Sequence, residues 1–147
     1  MNHPKISIVT PSYNQGQYLE DTILSVLGQG YPNLEYLIYD AASSDNSVTI
    51  IKKYESQLSY WVSKKDKGQA AAINNGFAKA TGEILMWLNS DDILMPNVLH
   101  FIAAEYPPIG IGERRNNLID FLVKNSYYEH TNTNLNAVMV RKDFWFK

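Results

Sequence analysis

Asp91 and Asp92 stand directly after an apolar run, Glu83-Ile84-Leu85-Met86-Trp87-Leu88, with Asn89 and Ser90 between. Adjacent carboxylates repel, so a fold that sets both at a sheet edge compensates with a cation or with several hydrogen-bond donors. Mg²⁺ or Mn²⁺ suits such a pair, because it takes one or two protein carboxylates and completes its shell with water and phosphate oxygens, as on a diphosphate. The plainer reading is that the pair only caps the helix expected to begin at Pro96. Asp40 closes another strand-like run and precedes Ala41-Ala42-Ser43-Ser44-Asp45. Its carboxylate can accept hydrogen bonds from a nucleobase edge, while a turn and a helix cap account for Asp45 better than for Asp40. In Pro11-Ser12-Tyr13-Asn14 the ring can stack on a base and the amide can fix the loop. In Asp66-Lys67-Gly68-Gln69, Lys67 can meet a phosphate beside the free N–H groups of a helix start, whereas Lys64 and Lys65 read as a solvated turn.

These groups need elements to hold them. Ile6-Ser7-Ile8-Val9-Thr10 is a β-branched run read as a buried strand ended by Pro11, and Leu19, Ile23, Val26 and Leu27 recur at helical spacing up to Gly28. Leu34 to Tyr39 is a second strand, followed by a helix carrying Val48, Ile51, Tyr54 and Leu58. Leu58 to Val62 reads as a third strand, Gly68 to Ala80 as a helix with Ala70, Ile73, Phe77 and Ala80 on one face, and Glu83 to Leu88 as the most apolar strand. Pro96 is expected at the first position of the next helix. Alternating strands and helices predict an α/β fold, a mainly parallel sheet with helices on both faces. Such sheets bind ligands beyond the carboxyl ends of their strands, and the polar clusters at 11–14, 40–45 and 89–92 all fall there. Past Tyr106 the pattern weakens into loop chemistry, with Ala137-Val138-Met139-Val140 as a final strand; the expected division is a core over 1–105 and a shorter segment over 106–147.

Composition narrows the class. A chain of 147 residues with 45% hydrophobic content can bury a core, and a formal charge of −2 provides no basic field for nucleic acid. The absence of cysteine excludes disulfides and thiolate chemistry, and agrees with a cytoplasmic location. The first residues form neither a signal-peptide core nor a membrane span, which leaves peripheral membrane association open.

Taken together, Ile6 to Asn14, Tyr39 to Ser47, Asp66-Lys67-Gly68 with Asn74 and Gly76, and Ala80 to Glu83 with Leu88 to Asp92 resemble family 2 glycosyltransferases in order and spacing over about residues 4–105. The resemblance implies a GT-A fold and an inverting transfer of a sugar from a nucleotide diphosphate donor, often UDP-linked, to a saccharide or lipid-linked acceptor. It implies that Asp40 binds the base, that Thr10, Pro11 and Tyr13 line the nucleoside pocket, and that Lys67 and Asn74 lie in the matching linker and helix. Asn89 to Asp92 matches the family's DxD-type motif, with Asp91 toward ribose or Mn²⁺ or Mg²⁺ and Asp92 as the metal ligand.

The departures are specific. Ala41-Ala42 stands where the family has Gly-Gly, which narrows the backbone's choices, and Ala71 stands where many relatives have Asp. Val138 to Phe144 is similar to a segment that in relatives precedes a Gly and then the acidic pair holding the general base, and the sequence ends before that pair. The spacing from Asp92 to Arg141 is also shorter than in the family, as expected of an internal deletion. No catalytic base is therefore assigned. Loss of such a base costs about a hundredfold to ten-thousandfold in rate. Asp120, Glu129 and His130 are the available substitutes, each better read as a surface residue. The alternative to an active enzyme is a truncated, catalytically inactive nucleotide-sugar-binding remnant. A nucleotidyltransferase is disfavoured, since Pro11-Ser12-Tyr13-Asn14 has neither the Gly-rich loop nor the basic residue that class places after its first strand.

Overall fold

A computed structural model describes residues 3–105 and 137–141. The elements are β1 (Ile6–Ser12), α1 (Gly16–Leu27), β2 (Leu34–Asp40), α2 (Ser47–Tyr54), a 3₁₀ turn (Glu55–Gln57), β3 (Tyr60–Ser63), α3 (Gln69–Lys79), β4 (Ile84–Leu88), α4 (Val98–Glu105) and β5 (Ala137–Arg141). They build a five-stranded sheet in the order β3-β2-β1-β4-β5. Strands β1 to β4 are mutually parallel and β5 runs antiparallel to β4, so the expected last strand joins the same sheet as the core.

Strand parity divides the core. Ile6, Ile8, Tyr36, Ile38, Ile84, Met86 and Leu88 pack with side chains of α1, α2 and α4, whereas Val9, Leu37, Tyr39 and Leu85 pack with Ala72 and Phe77 of α3. Helices thus cover both faces, as burial of both sides of a parallel sheet requires. On α3 the buried residues are Ala72, Gly76 and Phe77; Ala70, expected on this face, is exposed. Gly76 lets α3 lie against β1 so closely that a Cβ there would sit 2.4 Å from Val9 Cγ1.

Two prolines depart from expectation. Pro11 lies within β1, opposite Tyr39, instead of ending it. In this strand Ser12 O accepts from Ala41 N on the β2 side, so the backbone of Pro11 faces the β4 side, where pairing stops at Val9↔Trp87. The missing N–H therefore costs no ladder bond. Pro96 lies two residues before α4, because Asn97 adopts φ 65 and takes the backbone out of helical geometry. Strand β3 begins at Tyr60, later than expected, since the 3₁₀ turn at Glu55–Gln57 uses the preceding residues.

At the end of the sheet opposite the strands' carboxyl ends, Glu35 ties three segments together. Its Oε2 accepts from Ser7 Oγ and from Thr81 N at 2.7 Å, its Oε1 accepts from Thr81 Oγ1 at 2.8 Å, and Lys5 Nζ lies 3.3 Å away. Burial pushes this carboxyl up, but the Ser7 hydroxyl, both Thr81 donors and the Lys5 ammonium outweigh it and hold the pKa at about 2. Among the described residues no helix is long and apolar enough to cross a membrane. Asp120, Glu129, His130 and most of the 106–147 segment lie outside the described residues.

Candidate functional site

The carboxyl ends of β1, β2 and β4 open into a cavity of about 760 Å³, within the ~300–1,000 Å³ usual for small-molecule sites. Pro11, Ser12 and Tyr13 line it from β1, Ala41 and Ala42 from the loop after β2, and Asn89, Ser90 and Asp91 from the loop after β4. Lys65, Asp66, Gly68 and Gln69 close one side, with Ala72 of α3 behind them.

Local hydrogen bonds stitch these loops. Asn14, at φ 51, donates its backbone N–H to Ser43 Oγ and accepts from Ser44 N on Oδ1, both at 2.8 Å, so the amide does fix the loop. Asp45 accepts from Gly16 N at 2.8 Å and from Ser47 N at 2.9 Å, and so clamps the first residues of α1 and α2 together. The Ser47 side chain holds the Asp45 carboxyl below its ordinary pKa against the opposing effect of burial, and the Gly16 amide adds to the lowering. The 89–92 loop is anchored from α1: Thr22 Oγ1 lies 2.9 Å from Ser90 O and 2.7 Å from Asp92 O. Further along the same helix, Ser25 Oγ accepts from Leu94 N at 3.0 Å, and in the turn just past its end Gln29 Nε2 donates to Met95 O at 2.9 Å. A polar stripe at 22, 25 and 29 thereby satisfies an irregular segment that crosses a helix.

The candidate residues divide by their placement. Pro11, Tyr13 and Asp91 line the cavity, and Tyr13 is 61% exposed. Thr10 does not: it is fully buried, and its hydroxyl lies 3.0 Å from Tyr36 Oη, because even-numbered β1 residues face α1 and α2. Asp40 is 1% exposed and outside the lining. Its Oδ1 accepts from Ser43 Oγ at 2.5 Å and its Oδ2 from Ser43 N at 2.9 Å and Ser63 Oγ at 2.5 Å. A carboxylate has about four acceptor positions, so one remains beyond these three. Asp92 is half-buried and outside the lining, as are the exposed Lys67 and Asn74. The lining lysine is Lys65, expected in a solvated turn. Ala42 adopts φ 59, a left-handed conformation, at one of the two positions where the motif resemblance implies glycine. Among the described residues no three His, Cys, Asp or Glu side chains converge to form a closed metal site.

The profile of glycosyl transferase family 2 matches residues 7–106, which includes every loop of this cavity. The chain belongs to glycosyl transferase family 2. Similar relatives of this family include an uncharacterized glycosyltransferase of Nostoc sp., 38% identical over 69% of this chain and 33% of the relative. Another, from Haemophilus influenzae, is 39% identical over 64% of this chain and 39% of the relative. The chain thus spans about a third of the length of these curated relatives. Among solved structures, residues 1–349 of S. aureus TarS in complex with UDP-GlcNAc superpose with a TM-score of 0.63 at 26% identity, covering 69% of this chain and 30% of that one. The mannosyltransferase PcManGT of Pyrobaculum calidifontis, in complex with GDP-Man and Mn²⁺, has a TM-score of 0.65 at 21% identity, covering 83% of this chain and 39% of that one. Family 2 membership and these likenesses identify the α/β architecture as a GT-A-like fold, as the motifs implied.

Proposed function

We propose that this chain forms the donor-binding part of an inverting glycosyltransferase that moves a sugar from a nucleotide diphosphate sugar, UDP-linked, onto a saccharide or lipid-linked hydroxyl. The observation that carries the reading is the cavity beyond β1, β2 and β4, lined by Tyr13, Ala41, Ala42, Asn89 and Asp91. The base stacks on the exposed Tyr13 ring between the β1 and β2 loops, and Asp40 accepts from its edge. That contact requires the Ser43 loop to shift, since Asp40 lies beneath it. The diphosphate extends toward the β4 loop and Lys65. The complexes of TarS with UDP-GlcNAc and of PcManGT with GDP-Man support a donor of this class.

The donor set fits a hard divalent cation, Mn²⁺ or Mg²⁺. Asp91 is an exposed carboxylate on the cavity wall and Asp92 lies next to it, and an ion of this kind needs only one or two carboxylates when phosphates complete its shell. When bound, the ion would neutralise charge on the departing diphosphate. The chain's own groups position the donor: the Thr22 contacts hold the Asp91 loop still, while the Asn14–Ser43 contact is released when the Ser43 loop moves off Asp40. Such an enzyme would act in the cytoplasm, in polysaccharide biosynthesis, with peripheral contact to a membrane where the acceptor is lipid-linked. Asn74 and Lys67 stay outside the first contact with the donor, and no residue is assigned as general base.

Isothermal titration with UDP, with and without Mn²⁺, tests the site. Binding strengthened by Mn²⁺ in the wild type and not in Asp92→Ala is the expected result. Unchanged Mn²⁺-dependent affinity in that variant refutes the metal assignment.

A further inference from the structure

Gln69, the first residue of α3, and Asn89, the residue after β4, meet across the cavity: Gln69 Nε2 donates to Asn89 Oδ1 at 2.6 Å. Both line the cavity, as Asp91 does. The backbone around Asn89 is held as well, since its carbonyl accepts from Asp92 N at 3.2 Å while Thr22 supports the carbonyls of Ser90 and Asp92. The side-chain oxygen of Asn89 is thus engaged by Gln69. What the amide offers the cavity is its Nδ2, a pair of N–H donors with no negative charge.

That polarity sorts the ligands. An N–H donor suits a phosphate or hydroxyl oxygen and is unsuited to a metal cation, which needs an oxygen lone pair. We infer that Asn89 contacts the donor's diphosphate oxygens directly through Nδ2, and that Gln69 is a positioning residue that holds the amide in this orientation. Within Asn89-Ser90-Asp91-Asp92 the work is then divided: carboxylates for the cation, an amide for the anion. Binding of a nucleoside diphosphate accordingly keeps a metal-independent component. The inference rests on the donor-site reading above.

The test uses UDP, with Mn²⁺ or with chelator, on the wild type, Asn89→Asp and Gln69→Ala. Asn89→Asp preserves an acceptor for Gln69 and replaces the donor with a third carboxylate beside Asp91 and Asp92. Metal-free affinity should fall by about tenfold or more, the worth of one hydrogen bond to a charged group. Affinity with saturating Mn²⁺ should recover most of that loss, so the Mn²⁺ enhancement grows. Gln69→Ala should weaken metal-free binding by about threefold to tenfold and leave the Mn²⁺ enhancement as in the wild type. Gln69→Glu, which accepts where Gln donates, should turn the Asn89 amide over and weaken binding at least as much as the alanine variant. A purely structural role would lower melting temperature without moving the Mn²⁺ enhancement in Asn89→Asp. Equal metal-free affinity in the wild type and Asn89→Asp, both folded by circular dichroism, overturns the inference alone. Absence of UDP binding by the wild type removes the donor site and the inference with it.

Discussion

Replacing Ala42 with glycine should stabilise the protein, although it deletes a side chain. Ala42 sits at φ 59, where an L-residue's Cβ crowds the following carbonyl at a cost of about 1–2 kcal/mol. Glycine adopts this conformation freely but carries more entropy in the unfolded chain, which offsets about 0.4–1 kcal/mol. The balance favours Ala42→Gly by about 0.5–1 kcal/mol, or roughly 2 °C in melting temperature for a chain of this size. Ala41 supplies the control, since it is adjacent, also lines the cavity and is not in the positive-φ region. Ala41→Gly gains nothing from strain relief and should lose about 0.5 kcal/mol. Urea denaturation of the wild type and both variants, with slopes compared, measures the difference. A more stable Ala42→Gly beside a less stable Ala41→Gly is expected. Equal destabilisation in both variants would refute the argument that Ala42 is strained.

Two further predictions concern the scaffold. Glu35, with its pKa at about 2, is depressed relative to 4.5, so its stabilisation is complete above pH 4.5 and lost as pH falls toward 2. Partial solvent screening reduces the contribution to about 1–2 kcal/mol. Glu35→Gln should lower stability by that amount at pH 7 and flatten the acid limb between those limits; an unchanged acid limb in pH-dependent urea melts would contradict this. Gly76→Ala drives a Cβ to 2.4 Å from Val9 Cγ1, and overpacking of this kind costs about 1–3 kcal/mol against less than 1 kcal/mol gained in helix propensity. Val9→Ala in the same chain should restore part of the loss, and failure of that rescue would show that α3 does not pack on β1 as described.

Much of the architecture was legible because each strand's apolar run and each helix's spacing agree with the burial they meet. The polar loops at 11–14, 40–45 and 89–92 could be placed at one sheet edge from strand direction alone. What escaped depends on three-dimensional parity and on chain path. Thr10 faces the α1 side because it shares a face with Ile6 and Ile8, a point the motif does not encode. Asp40 ends its strand as expected, yet the Ser43 loop folds over it and Ser63 reaches it from a neighbouring strand. Lys65 reaches the cavity and Lys67 does not, a difference that two exposed lysines beside a glycine do not announce in sequence. Pro11 continues its strand only because β4 is shorter than β1 on that side. The Gln69–Asn89 contact joins residues 20 apart in sequence, and no local pattern announces it.

Under the proposed function, a nucleoside diphosphate binds beyond the carboxyl ends of β1, β2 and β4. Amide NMR spectra recorded with UDP and Mg²⁺, then with traces of Mn²⁺, address it directly. Shifts should concentrate at 12–14, 41–44 and 89–92, with Mn²⁺ broadening strongest around Asp91 and absent at Glu35 and Thr81 on the opposite sheet end. Broadening centred elsewhere, or UDP shifts spread evenly over the surface, would contradict it.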